Sequence, residues 1–169
     1  MTETLRPSLP EELDDRAEAL MRHLCERDLK LASAESCTGG LLASLFTDID
    51  GAGHAFDRGF VTYTDESKSD LLGIPLTLIK EANAVSEPVA RAMAEGALAR
   101  AQADLAISVT GYAGPGGEDA EEGLVHFAVA RRGAQTAHRC MRYGQIGRGG
   151  VRVASVATAV DMLEEAIRA

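Results

Sequence analysis

A short apolar run at residues 29–34 ends in Glu35-Ser36-Cys37-Thr38-Gly39-Gly40, and a second apolar stretch follows at once. This order constrains the fold more than any other feature of the chain. A strand that passes through a glycine turn into a helix is the first half of a β-α-β crossover, the unit from which helix-covered parallel sheets are built. The turn also has chemical meaning. Glycines allow close approach to the backbone, and N–H groups and hydroxyls beside a helix start suit anion binding or activation of a nucleophile. Turns of this composition also occur simply to redirect a chain, so the remaining segments must decide.

Before this unit, Ser8 and Glu11 read as a capping box. Leu13, Ala17, Leu20, Met21 and Leu24 recur at helical spacing, which predicts a helix over about residues 10–27. The helix after the central turn is expected over 39–49, stopped by Asp50-Gly51-Ala52-Gly53. Residues 58–64 alternate and are rich in β-branched and aromatic types, so they read as a second strand. Thr64 or Asp65 then caps a short helix ending at Leu72-Gly73, and Pro75 starts another that ends near Asn83. A long helix is expected from Ser86-Glu87-Pro88 to about Ala103, leading into a buried strand at 105–109 and the glycine-rich segment 110–117. Residues 124–130 and 136–143 flank Arg131-Arg132-Gly133-Ala134 as a hairpin. A final helix over 148–167 carries Val153, Val156, Val160, Leu163 and Ile167 as its apolar stripe.

Strands that alternate with helices, followed by a hairpin, predict a three-layer α/β/α sandwich with a mixed, mostly parallel sheet of five to six strands. The 169 residues read as one domain with its core at about 12–168. Open sheets of this type collect ligands at the carboxyl ends of their strands. Glu35-Ser36, Tyr63-Thr64 and Thr110-Gly111 are therefore expected to line one crevice.

Net charge of −9 and only 4% aromatic residues leave neither a phosphate-binding basic surface nor stacking platforms, which argues against nucleic acid as a partner. No apolar run approaches the roughly 18 residues that span a bilayer, and the acidic, amphipathic start does not resemble a secretory signal. Three cysteines without a C-x-x-C pair make a disulfide framework or structural zinc site improbable and point to the cytoplasm. Four histidines without H-x-x-x-H spacing give a catalytic metal little support. One local asymmetry stands out: six arginines and no acid between Arg131 and Arg152, which is either a solvated or subunit-facing surface or a site for a small anion.

Ser36, Tyr63 and Lys68 are the residues with the most chemical potential. A serine hydroxyl needs a base, and no histidine sits at a strand-end turn. Lys68 falls in the first turn of the helix after the Tyr63 strand end, where the helix dipole and burial both favour a neutral amine. A neutral lysine, or a tyrosine coupled to it, could serve as base toward Ser36 in Ser-Lys chemistry. Spacing alone is met more simply by Lys68 as a solvated helix residue and Tyr63 as a ring at the edge of the core. Cys37 is a rival nucleophile, although a small buried cysteine is the commoner occupant of such a turn.

The segments Ala34-Glu35-Ser36-Cys37-Thr38-Gly39-Gly40, Arg58-Gly59-Phe60-Val61-Thr62-Tyr63, Lys68 with Leu72-Gly73, Ala84-Val85-Ser86, and Thr110-Gly111 with Ala113-Gly114-Pro115 together resemble the CinA C-terminal domain family. The family includes nicotinamide mononucleotide deamidases, and the likeness runs over about residues 12–168. It implies an amidohydrolase that converts nicotinamide mononucleotide and water to nicotinic acid mononucleotide and ammonia. Serine, tyrosine and lysine roles fall on Ser36, Tyr63 and Lys68, with substrate contacts around Glu35, Cys37, Thr38, Gly39, Gly40, Thr110, Gly111, Gly114 and Arg148. Neither metal nor organic cofactor is implied, and family members form dimers or larger homo-oligomers. The resemblance is to the standalone form, since the molybdopterin-binding-like domain of longer members has no room in this length.

Two segments depart from the family pattern. Residues 116–123 are short, acidic and without lysine, and Ile146-Gly147-Arg148 stands where Gly-Asp-Arg is usual. Both changes are expected to weaken the grip on an anionic mononucleotide. The alternative they leave open is a non-catalytic mononucleotide-binding or regulatory protein of the competence/damage-inducible type.

Overall fold

The computed structural model describes residues 9–118 and 120–169. Its elements run α1 (Glu11–Glu26), β1 (Leu31–Glu35), α2 (Leu41–Thr47), β2 (Phe56–Val61), α3 (Asp65–Leu72), α4 (Leu76–Ala82), α5 (Glu87–Arg100), β3 (Leu105–Gly111), β4 (Leu124–Arg131), β5 (Ala137–Arg142) and α6 (Gly147–Arg168). The five strands form one sheet in the order β2-β1-β3-β4-β5. β1 is parallel to both β2 and β3, while β4 is antiparallel to β3 and β5 antiparallel to β4, so four of the five strands share one direction. This is the mixed α/β architecture expected from the sequence.

Alternation along the strands sorts side chains by face. Leu31, Leu105, Ile107, Val109, Val125, Phe127 and Val129 pack against α1, α2 and α6, in a core that includes Met21, Leu24, Phe46, Val156 and Leu163. The opposite face is built from small residues. Ala32, Ala34 and Ala106 meet Val89, Met93 and Ala97 of α5, with Leu72, Ile74 and Ile79 filling in beside α3 and α4. Ala128 and Ala130 meet Ala90 and Ala94 of the same helix. Ser108 donates to the Ala90 carbonyl at 2.6 Å, a hydrogen bond that only a helix lying close on the sheet can make.

Several boundaries differ from the expected ones for local physical reasons. Ser8 lies outside the described residues; Pro10 holds the N-cap position of α1, followed by Glu11, Glu12 and Asp14 at the positive helix end. Helix α2 starts at Leu41 rather than Gly39, because Gly39 (φ 63°) and Gly40 (φ 97°) both take the left-handed conformation that turns the chain. Strand β2 ends at Val61, short of the expected Thr64. The Thr62 and Tyr63 carbonyls accept from the Lys68 amine instead of continuing the ladder, and Thr64 forms a reciprocal capping box with Ser67 at the start of α3. Gly73 (φ 69°) closes α3 and Ser86 caps α5, as expected. On α6 the fully buried stripe runs through Val151, Val156, Val160 and Leu163, while Val153 and Ile167 sit at its half-buried rim.

Candidate active site

Parallel pairing of β2, β1 and β3 brings three strand ends to one edge of the sheet. Glu35 lies opposite both Val61 and Val109, the Ser36 amide donates to the Val109 carbonyl at 2.9 Å, and the Thr62 amide donates to the Glu35 carbonyl at 2.8 Å. Ser36 is thereby fixed at the end of β1 with its backbone tied to β3.

Lys68 reaches this point from the first turn of α3. Its side chain is 1% exposed, and Nζ approaches the Ser36 Oγ at 3.4 Å, the Thr62 carbonyl at 3.1 Å and the Tyr63 carbonyl at 3.4 Å. Burial lowers the amine below its ordinary proton affinity, against the pull of Asp65 and Cys37. Two carbonyl acceptors anchor the nitrogen, and no carboxylate hydrogen-bonds it among the described residues. The third contact is the serine. Such an amine can take a proton from Ser36 and later return it, which is what a Ser-Lys pair requires.

The other candidates separate by environment. The Tyr63 ring is 71% exposed, and among the described residues its hydroxyl makes no hydrogen bond; the residue meets Lys68 through its carbonyl. Cys37 is a poor thiolate, since burial pushes its thiol up to about 12. The buried Glu35 carboxylate accepts from the amides of Gly40 (3.2 Å), Leu42 (3.1 Å) and Ala43 (2.9 Å), so it caps α2 and shapes the turn from beneath. With the Gly39 amide given to the Ser36 carbonyl and the Leu41 amide to Thr38, the amides of the turn without a backbone partner among the described residues are those of Cys37, which faces its own thiol, and Thr38. Thr110 donates its hydroxyl to the Ala84 carbonyl at 2.8 Å. Gly111 is a packing residue, for a Cβ there would come within 2.7 Å of the Leu124 carbonyl.

The arginine-rich segment divides in the same way. Arg131 and Arg132 donate to backbone carbonyls, Arg139 pairs with Glu165, and Arg142 pairs with Glu121. Only Arg148 and Arg152 face the strand ends. Arg152 donates from Nη2 to the Thr38 carbonyl at 2.7 Å, while its buried Nε and the buried Thr38 Oγ1 have no partner among the described residues. The Arg148 guanidinium lies over Gly114, where a Cβ would approach it to 2.9 Å, and it makes no ion pair among the described residues. Thr62, which the sequence reading passed over, is fully buried beside Lys68 with its hydroxyl likewise unpartnered. The signal for it was its place one residue before Tyr63 at a strand end. Unsatisfied buried donors and acceptors next to a Ser-Lys pair mark where a polar ligand group would be held.

Fold and site together define an α/β protein with a serine-lysine pair at the carboxyl edge of its sheet. Residues 13–167 match the family model described as the CinA C-terminal domain, and the chain belongs to that family. A CinA-like protein of Akkermansia muciniphila is 51% identical over 127 residues, which is 74% of this chain and 31% of that protein. A CinA-like protein of Geobacter sulfurreducens is 45% identical over 147 residues, 86% of this chain and 35% of that protein. The chain thus spans about a third of the length of these curated relatives. Among solved structures, the competence/damage inducible protein CihA from Agrobacterium tumefaciens superposes with a TM-score of 0.91 at 42% identity, covering 95% of this chain and 98% of that one. A competence-damaged protein (CinA) superfamily protein from Escherichia coli superposes with a TM-score of 0.86 at 34% identity, covering 94% and 93%. Among the described residues, no helix is long and apolar enough to cross a membrane.

Proposed function

We propose that this CinA-family chain is an amidohydrolase that deamidates nicotinamide mononucleotide to nicotinic acid mononucleotide and ammonia. The observation that carries the reading is the buried Lys68 amine, held 3.4 Å from the Ser36 hydroxyl and depressed by burial toward its neutral form. In this mechanism Lys68 removes the Ser36 proton as Oγ attacks the carboxamide carbon. The amides of Cys37 and Thr38 receive the developing oxyanion, and the ammonium of Lys68 gives its proton to the carboxamide nitrogen as the C–N bond breaks and ammonia leaves. Water then releases the acid by the same steps in reverse order of roles. Arg148, whose guanidinium lies over Gly114, and the half-buried Arg152 are the cationic side chains at the strand ends that would meet the substrate phosphate.

The test is ammonia release from nicotinamide mononucleotide by purified protein. Turnover that vanishes in Ser36→Ala, with substrate binding retained, is the expected result. Full turnover by Ser36→Ala sinks the mechanism, and absence of turnover in the unsubstituted protein sinks the assignment. A second reading is favoured by Arg148, which lacks the acidic partner expected from the family pattern: a mononucleotide-binding or regulatory protein without turnover. Calorimetric binding of the mononucleotide without ammonia release would select it. In either case we place the protein in the cytoplasm as a homodimer or larger homo-oligomer. The three free cysteines are consistent with a reducing compartment.

A further inference from the structure

On the face of the sheet away from Ser36's helix, the hairpin and α5 assemble a chain of four titratable side chains. His126 on β4 lies directly opposite Cys140 on β5, and His138 stands two residues before Cys140 on the same face. His126 Nδ1 is 3.0 Å from His138 Nε2, and the two rings are stacked with centroids 5.2 Å apart. Beyond them, His138 Nδ1 lies 3.5 Å from the Glu87 carboxylate at the start of α5, and Cys140 Sγ lies 3.8 Å from His126 Nε2. Glu87 at one end fixes the direction of the protons, because a carboxylate only accepts. Its charge, 3.5 Å from His138 Nδ1, favours the tautomer with the proton on that nitrogen, and His138 Nε2 then accepts from His126 Nδ1–H. That leaves His126 Nε2 as an acceptor facing the Cys140 thiol. Arg142 Nη1 approaches the same sulfur at 3.7 Å.

We propose that Cys140 is a reactive thiol served by a His126–His138–Glu87 relay, and that it is a modification site at which the protein forms a mixed disulfide with small carboxylate-bearing disulfides. The proton of Cys140 passes to His126 Nε2, and the sulfur attacks one sulfur of the disulfide. As the new S–S bond forms, the old one breaks and the second half leaves as a thiolate, which takes the proton back from His126. The protein thiol is oxidised and the small disulfide reduced, with no further reactant. This is nucleophile–base–orienter logic, with a second imidazole between base and carboxylate. Arg142 supports the thiolate and offers a positive charge to an anionic reagent.

The surroundings favour this cysteine over the other two. Burial, followed by the fields of His138 and Arg142, lowers the proton affinity of His126, so its ring is neutral and able to accept near neutral pH. His138 is lowered by burial as well, against the pull of Glu87. Among the described residues, the remaining charges facing the cluster are Arg91 on α5, paired with Glu87, and Glu121 before β4, paired with Arg142. Cys37, by contrast, is held as a thiol by burial, and Cys25 lies over the Ala52 carbonyl, an acceptor that does nothing for a thiolate.

The probe is bis(carboxynitrophenyl) disulfide, whose released thiolate is coloured, reacted with the full chain near neutral pH. Expected is a fast phase of one thiol per chain, faster than any thiol of the urea-unfolded chain, since mere accessibility could at most equal that rate. Cys140→Ser removes the fast phase, and glutathione disulfide gives an adduct that peptide mass mapping locates at Cys140. His126→Gln, checked for fold by circular dichroism, slows the phase by about tenfold or more and moves its pH–rate profile to that of an ordinary thiol. A fast phase that survives Cys140→Ser overturns the proposal. So does a native rate no faster than the unfolded one, or a His126→Gln variant with unchanged rate and pH profile.

Discussion

Replacing Lys68 by methionine separates the two things this side chain does. Met has similar length and fills the same buried space, so cavity effects are small. The substitution forfeits three polar contacts of 3.1–3.4 Å and leaves the Thr62 and Tyr63 carbonyls without this donor, at about 1–3 kcal/mol for each buried acceptor left unpaired. It also removes a cation whose effective burial cost is several kcal/mol before the attraction of Asp65 is counted. The two contributions oppose each other and are of similar size, so Lys68→Met is expected to differ in stability from the unsubstituted protein near pH 7 by no more than about 2 kcal/mol. The pH dependence has a definite sign. Burial depresses the native amine below the ordinary 10.5, so between the depressed value and 10.5 the unfolded chain binds more protons. Stability of the unsubstituted protein therefore rises with pH through that window, while Lys68→Met lacks the rise, so the balance shifts toward the unsubstituted protein up to about pH 10. Urea unfolding of both proteins across this range measures it, and ammonia release in parallel should fall by about a hundredfold or more. A difference in stability between the two proteins that stays constant across this pH range refutes the account of Lys68 as a buried, partly neutralised base.

Three further outcomes follow from the geometry. Glu35→Gln keeps one acceptor oxygen but aims an NH2 at the donors that met the other, so a loss of about 2–4 kcal/mol in urea unfolding is expected; a loss under about 1 kcal/mol contradicts its role as the cap of α2. Gly96→Ala places a Cβ 2.3 Å from the Leu72 carbonyl, where α3 crosses α5, and should cost about 2–4 kcal/mol despite a gain of about 1 kcal/mol in helix propensity; calorimetric unfolding decides it. Cys37→Ala should leave ammonia release intact, because a thiol held near 12 contributes no nucleophile at neutral pH; loss of turnover with the fold preserved would return Cys37 to consideration.

The fold was legible where one residue decides one backbone state. Gly73 ends α3, Ser86 starts α5, and the alternation in 124–130 and 136–143 gives the hairpin. What could not be read was competition between distant partners. The end of β2 is set by an amine six residues ahead that claims the Thr62 carbonyl, and no local pattern announces this. In the site, Ser36 and Lys68 stood out as candidates because strand ends and helix starts are visible in sequence, but spacing alone read Lys68 as solvated, and only the fold shows its amine buried beside Ser36. The phenol of Tyr63 lies in solvent because the chain turns outward there to cap α3, a consequence of that same amine. The Arg131–Arg152 segment shows the limit of composition: four of its six arginines serve carbonyls and carboxylates elsewhere, and only tertiary structure sorts them from the other two.

The bed of alanine and serine beneath α5 has a consequence for how this protein can change over time. A face of long aliphatic side chains tolerates exchange, because neighbours can rearrange to keep the same volume. Beneath α5 there is little side chain to rearrange. Ala32, Ala34, Ala106, Ser108, Ala128 and Ala130 leave the helix separated from the sheet by hardly more than methyl groups, so any enlargement must move the helix as a body. That helix begins at Glu87, just after the Ala84 carbonyl that ties its approach to Thr110 at the strand edge. Mutations that look conservative on this layer are therefore transmitted to the crevice, and drift in this protein should accumulate on the α1 and α6 side while the α5 side stays nearly still.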